Sequence, residues 1–181
     1  MHISNSGLEM IQRFEGFRAH TYRDGAGFAT IGYGHKLLNS QSFSNGITMD
    51  EAVSILRADV HEAEKVIEEL VRVPLTQGQF DALVDFIFNL GAERFRRSTL
   101  LRALNGGRYQ AAGEQLLRWD LIDGTESQGL RDRRLAEMNL WNASTPRAMA
   151  AAAPGQADAA KPGVQRAGTP AETRAGSEQA A

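Results

Sequence analysis

The stretch from Thr48 to Leu70 most constrains the fold, because its pattern predicts a single long helix. Thr48 followed three residues later by Glu51 has the spacing of a capping box, in which each side chain accepts the other residue's backbone N–H. Behind this cap, apolar residues recur at helical spacing: Ala52, Val53, Leu56, Val60, Ile67 and Leu70. The segment is therefore expected to form one uninterrupted helix.

More helices are expected after Pro74, which ends this region. Thr76 with Gln79 repeats the capping-box spacing, and the apolar residues that follow are expected in the core. These residues are Phe80, Leu83, Val84, Ile87 and Phe88. Shorter helices are expected at Thr99 to Asn105, Tyr109 to Leu117 and Leu130 to Trp141, with glycine-containing breaks at Gly106-Gly107 and Asp123-Gly124.

The N-terminal region predicts a short helix that ends at a glutamate. Ser6 to Glu9 has capping-box spacing, and the apolar pattern that follows predicts a helix from near Gly7 to Gly16, with Glu15 as its last residue. A carboxylate at a helix C-terminus faces the negative end of the helix dipole, and the neighbouring Phe14 and Phe17 would remove water from it. Both effects favour the protonated form, which suits a general acid.

Asp24 has the opposite surroundings. It opens the turn Asp24 to Gly27 between the extended segments Ala19 to Tyr22 and Phe28 to Tyr33, which together predict a hairpin. A carboxylate on a solvated turn is expected to stay ionised, and Thr30 on the returning strand is placed to orient a water. Two carboxyls with separated pKa values suit glycoside hydrolysis, in which one protonates the leaving oxygen and the other activates water or attacks carbon.

The residues around this pair resemble the signature of the phage lysozyme (endolysin) family, glycoside hydrolase family 24. The matching residues are Glu15-Gly16, Tyr22, Asp24, Gly27 and Thr30-Ile31-Gly32-Tyr33-Gly34-His35. Three further blocks are similar to the helical lobe of that family and occur in the same order. They lie at 79–91, at 98–105, and at Trp119 together with 129–137. The resemblance covers about residues 3 to 142.

The resemblance implies an α+β, lysozyme-like fold. A small β-hairpin lobe and a larger helical lobe are joined by the long helix, with the catalytic cleft between the lobes. The implied reaction is hydrolysis of the β-1,4 bond between N-acetylmuramic acid and N-acetylglucosamine in peptidoglycan. Glu15 is expected to protonate the glycosidic oxygen, while Asp24 and Thr30 position water on the opposite face of the sugar, which inverts the anomeric carbon.

The resemblance also suggests substrate-binding residues: Tyr33, Phe88, Asn89 and Arg133. Asn89 matches a position where the family lines its saccharide cleft with an amide, although a helix-end cap is the alternative. In the family an arginine at the start of the last helix pairs with the catalytic glutamate. Arg131, Arg133 and Arg134 compete for this role here, and Arg133 is taken as the match. His35 is expected to be a structural histidine paired with a carboxylate.

Several classes of site are not expected. The net charge of −2 argues against nucleic-acid binding, and the four histidines lack the spacing of metal ligands. Gly25-Ala26-Gly27 lacks the third glycine of a dinucleotide-binding loop. From the histidine spacing we therefore expect no metal, and from the incomplete loop we expect no cofactor. The chain has no cysteine and no apolar run of the ~20 residues that a membrane span needs. No stable membrane insertion is therefore expected.

The partners follow from the resemblance. The first residues, Met1 to Ser6, lack the pattern of a signal peptide, so the protein is expected in a host cytoplasm until it reaches the periplasmic cell wall as a monomer. A holin-type partner would release the protein to the wall in phage lysis. Alternatively, a secretion machine would deliver it as an antibacterial effector. Two other functions stay open: lytic cleavage by a transglycosylase, and a cell-wall binding module without hydrolysis.

The character of the chain changes at about Ala143. Aromatic residues disappear, and alanine, proline and glycine dominate to the end of the sequence. Such a composition buries too little apolar surface to offset the entropy of ordering. The sequence therefore predicts a catalytic domain over 1–142 and a disordered tail or linker over 143–181.

Overall fold

The computed structural model describes residues 1–38, 41–122 and 124–143. In chain order the elements are α1 (Asn5–Glu15), β1 (Arg18–Arg23), β2 (Ala29–Gly32), β3 (His35–Lys36), α2 (Met49–Leu70), α3 (Gln77–Leu90), α4 (Ala92–Arg97), α5 (Thr99–Asn105), α6 (Tyr109–Leu116), β4 (Leu121–Ile122), β5 (Thr125–Glu126) and α7 (Gln128–Ala143). This order confirms the predicted α+β class. The predicted tail lies outside the described residues except for Ala143, and so does Asp123.

The small lobe is an antiparallel sheet in the order β1-β2-β3. Its register places Tyr22 opposite Thr30, and Thr30 opposite Lys36. The turn between β1 and β2 runs through Asp24 to Gly27, whose N–H donates to the carbonyl of Asp24 at 2.9 Å. The predicted hairpin is therefore confirmed, and a third strand of only two residues, too short for an alternating pattern, extends it.

Helix α2 forms as predicted and carries both halves of its capping box. The N–H of Glu51 donates to Thr48 Oγ1 at 3.2 Å, and the N–H of Thr48 donates to Glu51 Oε2 at 2.7 Å. The buried side chains of Leu56 and Val60 belong to the core. Along its length α2 contacts strands β2 and β3 as well as helices α3 and α4, so it joins the sheet to the helical lobe.

Helix α3 lies at the centre of the helical lobe, in contact with α1, α2, α4 and α7. The predicted cap by Thr76 and Gln79 is confirmed. Residues 78–87 are all buried, whereas an amphipathic surface helix would leave one face exposed. Two of them, Asp81 and Asp85, are acidic, and a carboxylate in a protein interior needs hydrogen-bond partners or a cation. The partners of Asp85 form part of the site described below.

The start of α1 differs from the prediction. The N-cap is Ser4, whose Oγ accepts the N–H of Gly7 at 3.1 Å, and the predicted capping box at Ser6 is wrong. The N-cap is Ser4 rather than Ser6 because of a contact with a residue that is distant in sequence. Asp81 of α3 accepts both the N–H of Ser4, at 2.9 Å, and its hydroxyl, which fixes Ser4 at the helix entrance.

We expect Ser4→Ala to lower the free energy of unfolding by about 1–2 kcal/mol, because it removes a helix cap and one hydrogen bond of the buried Asp81. Ser6→Ala is the matched control, since Ser6 is exposed in the first turn and should change stability by less than about 0.5 kcal/mol. Urea unfolding of both variants measures the difference. Equal losses would mean that Ser4 is not the cap.

The shorter helices after α3 confirm the prediction closely, with α5 at its predicted limits and α6 ending one residue earlier. Helix α4 and the β4–β5 hairpin were not predicted. In α4 only Phe95 is buried, and both strands of the hairpin are exposed, so neither segment carries a hydrophobic period. Within the described ranges, no helix combines the length and apolar character that crossing a membrane requires.

Candidate active site

Glu15 lies where the sheet meets the helical lobe. Helix α1 ends at this residue because Gly16 adopts φ +71°, a left-handed conformation that favours glycine. Arg133 of α7 donates from Nη1 to Glu15 Oε1 at 2.7 Å. On the other side, a Cβ added to Gly34, in the β2–β3 turn, would lie 3.8 Å from Glu15 Oε2. The Glu15 side chain remains 25% exposed, so solvent and ligands can reach it.

Arg133 is the one of the three candidate arginines that pairs with Glu15. Arg131 is exposed and lies 3.7 Å from a carboxylate oxygen of Glu126 in β5. Arg134 is fully buried and bonds elsewhere. The Arg133 guanidinium also lies 5.5 Å from the ring centre of Phe14, within the range of a cation–π contact. Glu15 therefore has Arg133 as a neighbour in addition to the predicted Phe14, and the sequence around Glu15 does not indicate this cation.

Asp85 holds the Arg133 side chain in place. The guanidinium donates from Nε to Asp85 Oδ2 at 2.9 Å and from Nη2 to Oδ1 at 2.8 Å, a bidentate pair. Burial acts to lower the pKa of Arg133, but the carboxylates of Asp85 and Glu15 outweigh it and raise this pKa above its ordinary value. Arg133 is therefore a fixed cation between two carboxylates.

A second buried group lies behind this pair. Arg134 contacts Glu137 at 2.9 and 3.1 Å, and its Nη2 donates to Asn89 Oδ1. Burial raises the pKa of Glu137 well above its ordinary value, a hydrogen bond with Asp85 adds to the effect, and Arg134 opposes it. The two arginines of this network thus lie among three carboxyl groups, those of Glu15, Asp85 and Glu137. The network therefore connects Glu15 with Asn89 through four buried ionisable side chains: Arg133, Asp85, Glu137 and Arg134.

This network makes stability depend on pH through Glu137. Because its pKa is raised in the folded state, folding favours the protonated form, and that contribution is present below the ordinary value of 4.5 and lost as pH rises through the raised value. Glu137→Gln keeps a neutral hydrogen-bonding side chain. We expect the stability of the wild type relative to this variant to fall as pH increases.

Urea unfolding from mildly acidic to alkaline pH tests this expectation. Glu114→Gln on the exposed face of α6 is the control, and its difference from the wild type should stay constant with pH. A constant difference for Glu137→Gln would contradict a protonated Glu137.

Asp24 is held by the turn that carries it. Its Oδ1 accepts the N–H of Phe28 at 2.8 Å and the N–H of Ala26 at 2.9 Å, while Lys36 Nζ lies 3.7 Å from Oδ2. The bond from Phe28 is the largest influence, and together with the second N–H and the cation it lowers the pKa of Asp24. This direction agrees with the predicted ionised carboxylate.

Thr30 lies on β2, shortly after the same turn, and is only 2% exposed. Its hydroxyl donates to the carbonyl of Phe28 at 3.0 Å, so the backbone of Phe28 links Thr30 to Asp24. The hydroxyl proton is engaged in this bond, and the oxygen retains lone pairs that can accept a hydrogen bond from water. A role for Thr30 in orienting water stays a prediction.

The predicted substrate-binding residues have different placements. Tyr33 is buried, with its ring centre 5.7 Å from that of Phe17, so its ring packs in the core. Phe88 and Asn89 are half-buried near the end of α3, and Asn89 uses its carbonyl oxygen to accept from Arg134. Arg133 contacts Glu15 and Asp85. Substrate contact by these four residues stays a prediction, and the packing of Tyr33 favours a supporting role.

His35 pairs with a carboxylate, as predicted. Its Nδ1 lies 2.9 and 3.0 Å from the two oxygens of Asp59 on α2, and its Nε2 lies 3.2 Å from Gln41 Oε1. Burial raises the pKa of Asp59, and the histidine opposes this effect. The pair connects the sheet to the long helix.

Sequence comparisons identify relatives of this chain that match most of its length. A family model described as phage lysozyme matches residues 12–137. The endolysin of Acyrthosiphon pisum secondary endosymbiont phage 1 is 38% identical over 148 residues, which cover 80% of this chain and all of that protein. The endolysin of Salmonella phage P22 is 40% identical over 144 residues, which cover 78% of this chain and 98% of that endolysin. The family match thus contains every residue of the site described above.

The fold has a close counterpart among solved structures. The muramidase domain of SpmX from Asticaccaulis excentricus superposes with a TM-score of 0.72 at 37% sequence identity. The alignment covers 81% of this chain and the whole of that domain. The similarity therefore includes both the sheet and the helical lobe.

Proposed function

Because the chain belongs to the phage lysozyme family, we propose that it hydrolyses peptidoglycan at the β-1,4 bond between N-acetylmuramic acid and N-acetylglucosamine. The endolysin relatives and the muramidase domain support a glycosidase that acts on the cell wall. The observation that carries the proposal is the arrangement of Glu15, oriented by the buried Arg133, beside a sheet whose turn holds an ionised Asp24.

In the proposed reaction Glu15 protonates the glycosidic oxygen. Arg133 occupies Oε1, so Oε2, which faces the β2–β3 turn, is the oxygen that carries the proton. After the bond breaks, the resulting carboxylate keeps Arg133, a fixed cation, as its partner. The Arg133 pair therefore stabilises the form of Glu15 that the reaction produces, which is how preorganised charge assists catalysis.

Asp24 is proposed as the base that activates water on the opposite face of the sugar. Its carboxylate is ionised and can take a proton from the attacking water, and Thr30 provides an oxygen that can orient this water. Inversion of the anomeric carbon follows, and it requires the two carboxyls to stand about 6.5–9.5 Å apart in the complex with substrate, against about 5–5.5 Å for retention.

The product identifies the reaction. We expect proton NMR during hydrolysis of a soluble peptidoglycan oligosaccharide to show the inverted anomer first, and mass spectrometry to show fragments that have gained water. A retained anomer would contradict the role of Asp24 as base. Anhydro sugars without added water would contradict hydrolysis and indicate a lytic transglycosylase.

The biological setting is part of the proposal. We propose a monomer that reaches the periplasmic face of the wall from a host cytoplasm, released by a holin-type partner in phage lysis. Delivery by a secretion machine as an antibacterial effector is the alternative setting for the same chemistry. Expression inside Gram-negative cells with and without a holin distinguishes them, because lysis that needs the holin supports the first route.

A further inference from the structure

The N-terminal segment is fixed against helices α2 and α3 at the opposite end of α1 from Glu15. The N–H of Ile3 donates to Glu64 Oε1 at 2.8 Å, and the carbonyl of His2 accepts from Gln77 Nε2 at 2.9 Å. The Ile3 side chain is buried in the core. His2 therefore has a defined position on the protein surface even though it precedes the first helix.

Two histidine rings converge on one carboxylate oxygen at this place. His2 Nδ1 lies 3.0 Å and His61 Nδ1 lies 3.1 Å from Glu64 Oε2. The ligand atoms of the three residues all lie within 4.8 Å of one another. Glu64 is only 6% exposed, whereas the side chains of His2 and His61 are 82% and 52% exposed. A buried carboxylate thus forms the floor of a site that is open to solvent.

We propose that His2, His61 and Glu64 bind a divalent transition-metal ion, with zinc as the representative. Two imidazoles and one carboxylate suit zinc, copper or nickel, whereas magnesium and calcium prefer oxygen ligands alone. Zinc sites with three protein ligands complete their coordination with water, which the exposure of the histidines allows.

The distances already approach those of such a site. Zinc bonds of about 2.0–2.1 Å in a tetrahedron place neighbouring ligand atoms about 3.3 Å apart. The two histidine–carboxylate distances, 3.0 and 3.1 Å, need to lengthen by only a few tenths of an ångström. His61 and Glu64 are three residues apart on α2 and therefore share one helix face, where two-residue metal ligation is geometrically favourable.

The local charge also favours a cation. The same helix carries further carboxylates around Glu64: Asp59, Glu62, Glu68 and Glu69. Three cations pair with these carboxylates: Lys65 contacts Glu62 at 2.8 Å, the ammonium of Met1 lies 3.4 Å from Glu68, and Arg96 lies 3.3 Å from Glu69. An ion at this site would connect the N-terminal segment to α2, and it would stabilise the folded chain because unfolding separates residue 2 from residues 61 and 64.

Calorimetric titration of the full chain with zinc chloride tests the proposal, on protein without a polyhistidine tag. We expect one ion per chain, a melting temperature that rises with zinc, and reversal of the rise by a chelator. His61→Ala should weaken binding by at least about tenfold, since even loss of an outer partner weakens metal sites by about 10- to 100-fold. His2→Ala should do the same.

His20→Ala is the matched control, because His20 is an exposed histidine on β1 outside the cluster. This variant should bind zinc as the wild type does, and circular dichroism should show that all variants are folded. Absence of binding by the wild type at millimolar zinc would overturn the proposal. Equal affinity in the wild type and in folded His61→Ala would overturn it as well.

Discussion

Glu15→Gln should reduce the rate of cell-wall hydrolysis by about 10²- to 10⁴-fold, the range that a positioned general acid contributes. The amide of glutamine cannot deliver a proton to the glycosidic oxygen. It can still accept the hydrogen bond that Arg133 donates to Oε1, so the variant should fold normally. The measurement is the initial loss of turbidity of outer-membrane-permeabilised Gram-negative cells.

The matched control for this variant is Glu9→Gln, the same substitution at an exposed position of the same helix. It should clear the cells at the wild-type rate. If Glu15→Gln remains fully active, Glu15 is not the acid. If neither the wild type nor the variant clears the cells although both bind isolated walls, the protein is a binding module rather than a hydrolase.

Asp85→Asn should lower the free energy of unfolding by about 3–5 kcal/mol, the usual cost of removing one partner of a buried ion pair. The fully buried Asp85 carboxylate accepts two hydrogen bonds from Arg133, and an asparagine amide would direct its NH₂ group at one of these donors. Arg133 would then lose its fixed orientation beside Glu15. We therefore expect activity to fall too, even at temperatures where the variant is folded.

Asp132→Asn provides the comparison for this variant. Asp132 precedes Arg133 on α7, is exposed and accepts a hydrogen bond from Gln128 at 2.8 Å. Its replacement should change stability by less than about 0.5 kcal/mol and leave hydrolysis unchanged. Urea unfolding and turbidity assays on both variants provide the two readouts. A stable, fully active Asp85→Asn would show that Arg133 does not depend on its bidentate partner.

The sequence predicted most of the helices because their signals are local. The capping boxes at Thr48 and Thr76 and the glycine after Glu15 each act within a few residues, and all three are confirmed. The wrong cap at Ser6 shows the limit of local signals. Ser4 has no matching glutamate or glutamine three residues later, and it is selected by Asp81, 77 residues away.

The same difference between local and long-range signals applies to the candidate active site. The contrasting positions of Glu15 and Asp24 were predictable, since a helix end and a turn are local features. The buried network of Asp85, Arg134 and Glu137 was not predicted, because its members come from two helices far apart in sequence. A weak signal existed, because Asp85 lies between apolar residues of α3, and a charge in such a place requires a partner.

The ion pair between Glu15 and Arg133 joins residues 118 positions apart, nearly the full length of the described chain. A ribosome therefore completes Glu15, Asp24 and Thr30 long before it makes the residue that orients the acid. During synthesis the growing polypeptide carries Glu15 without this partner, and an N-terminal fragment that stops short of α7 does so permanently. In the proposed mechanism hydrolysis therefore requires α7, the last helix among the described residues, because this helix supplies the arginine that orients the acid.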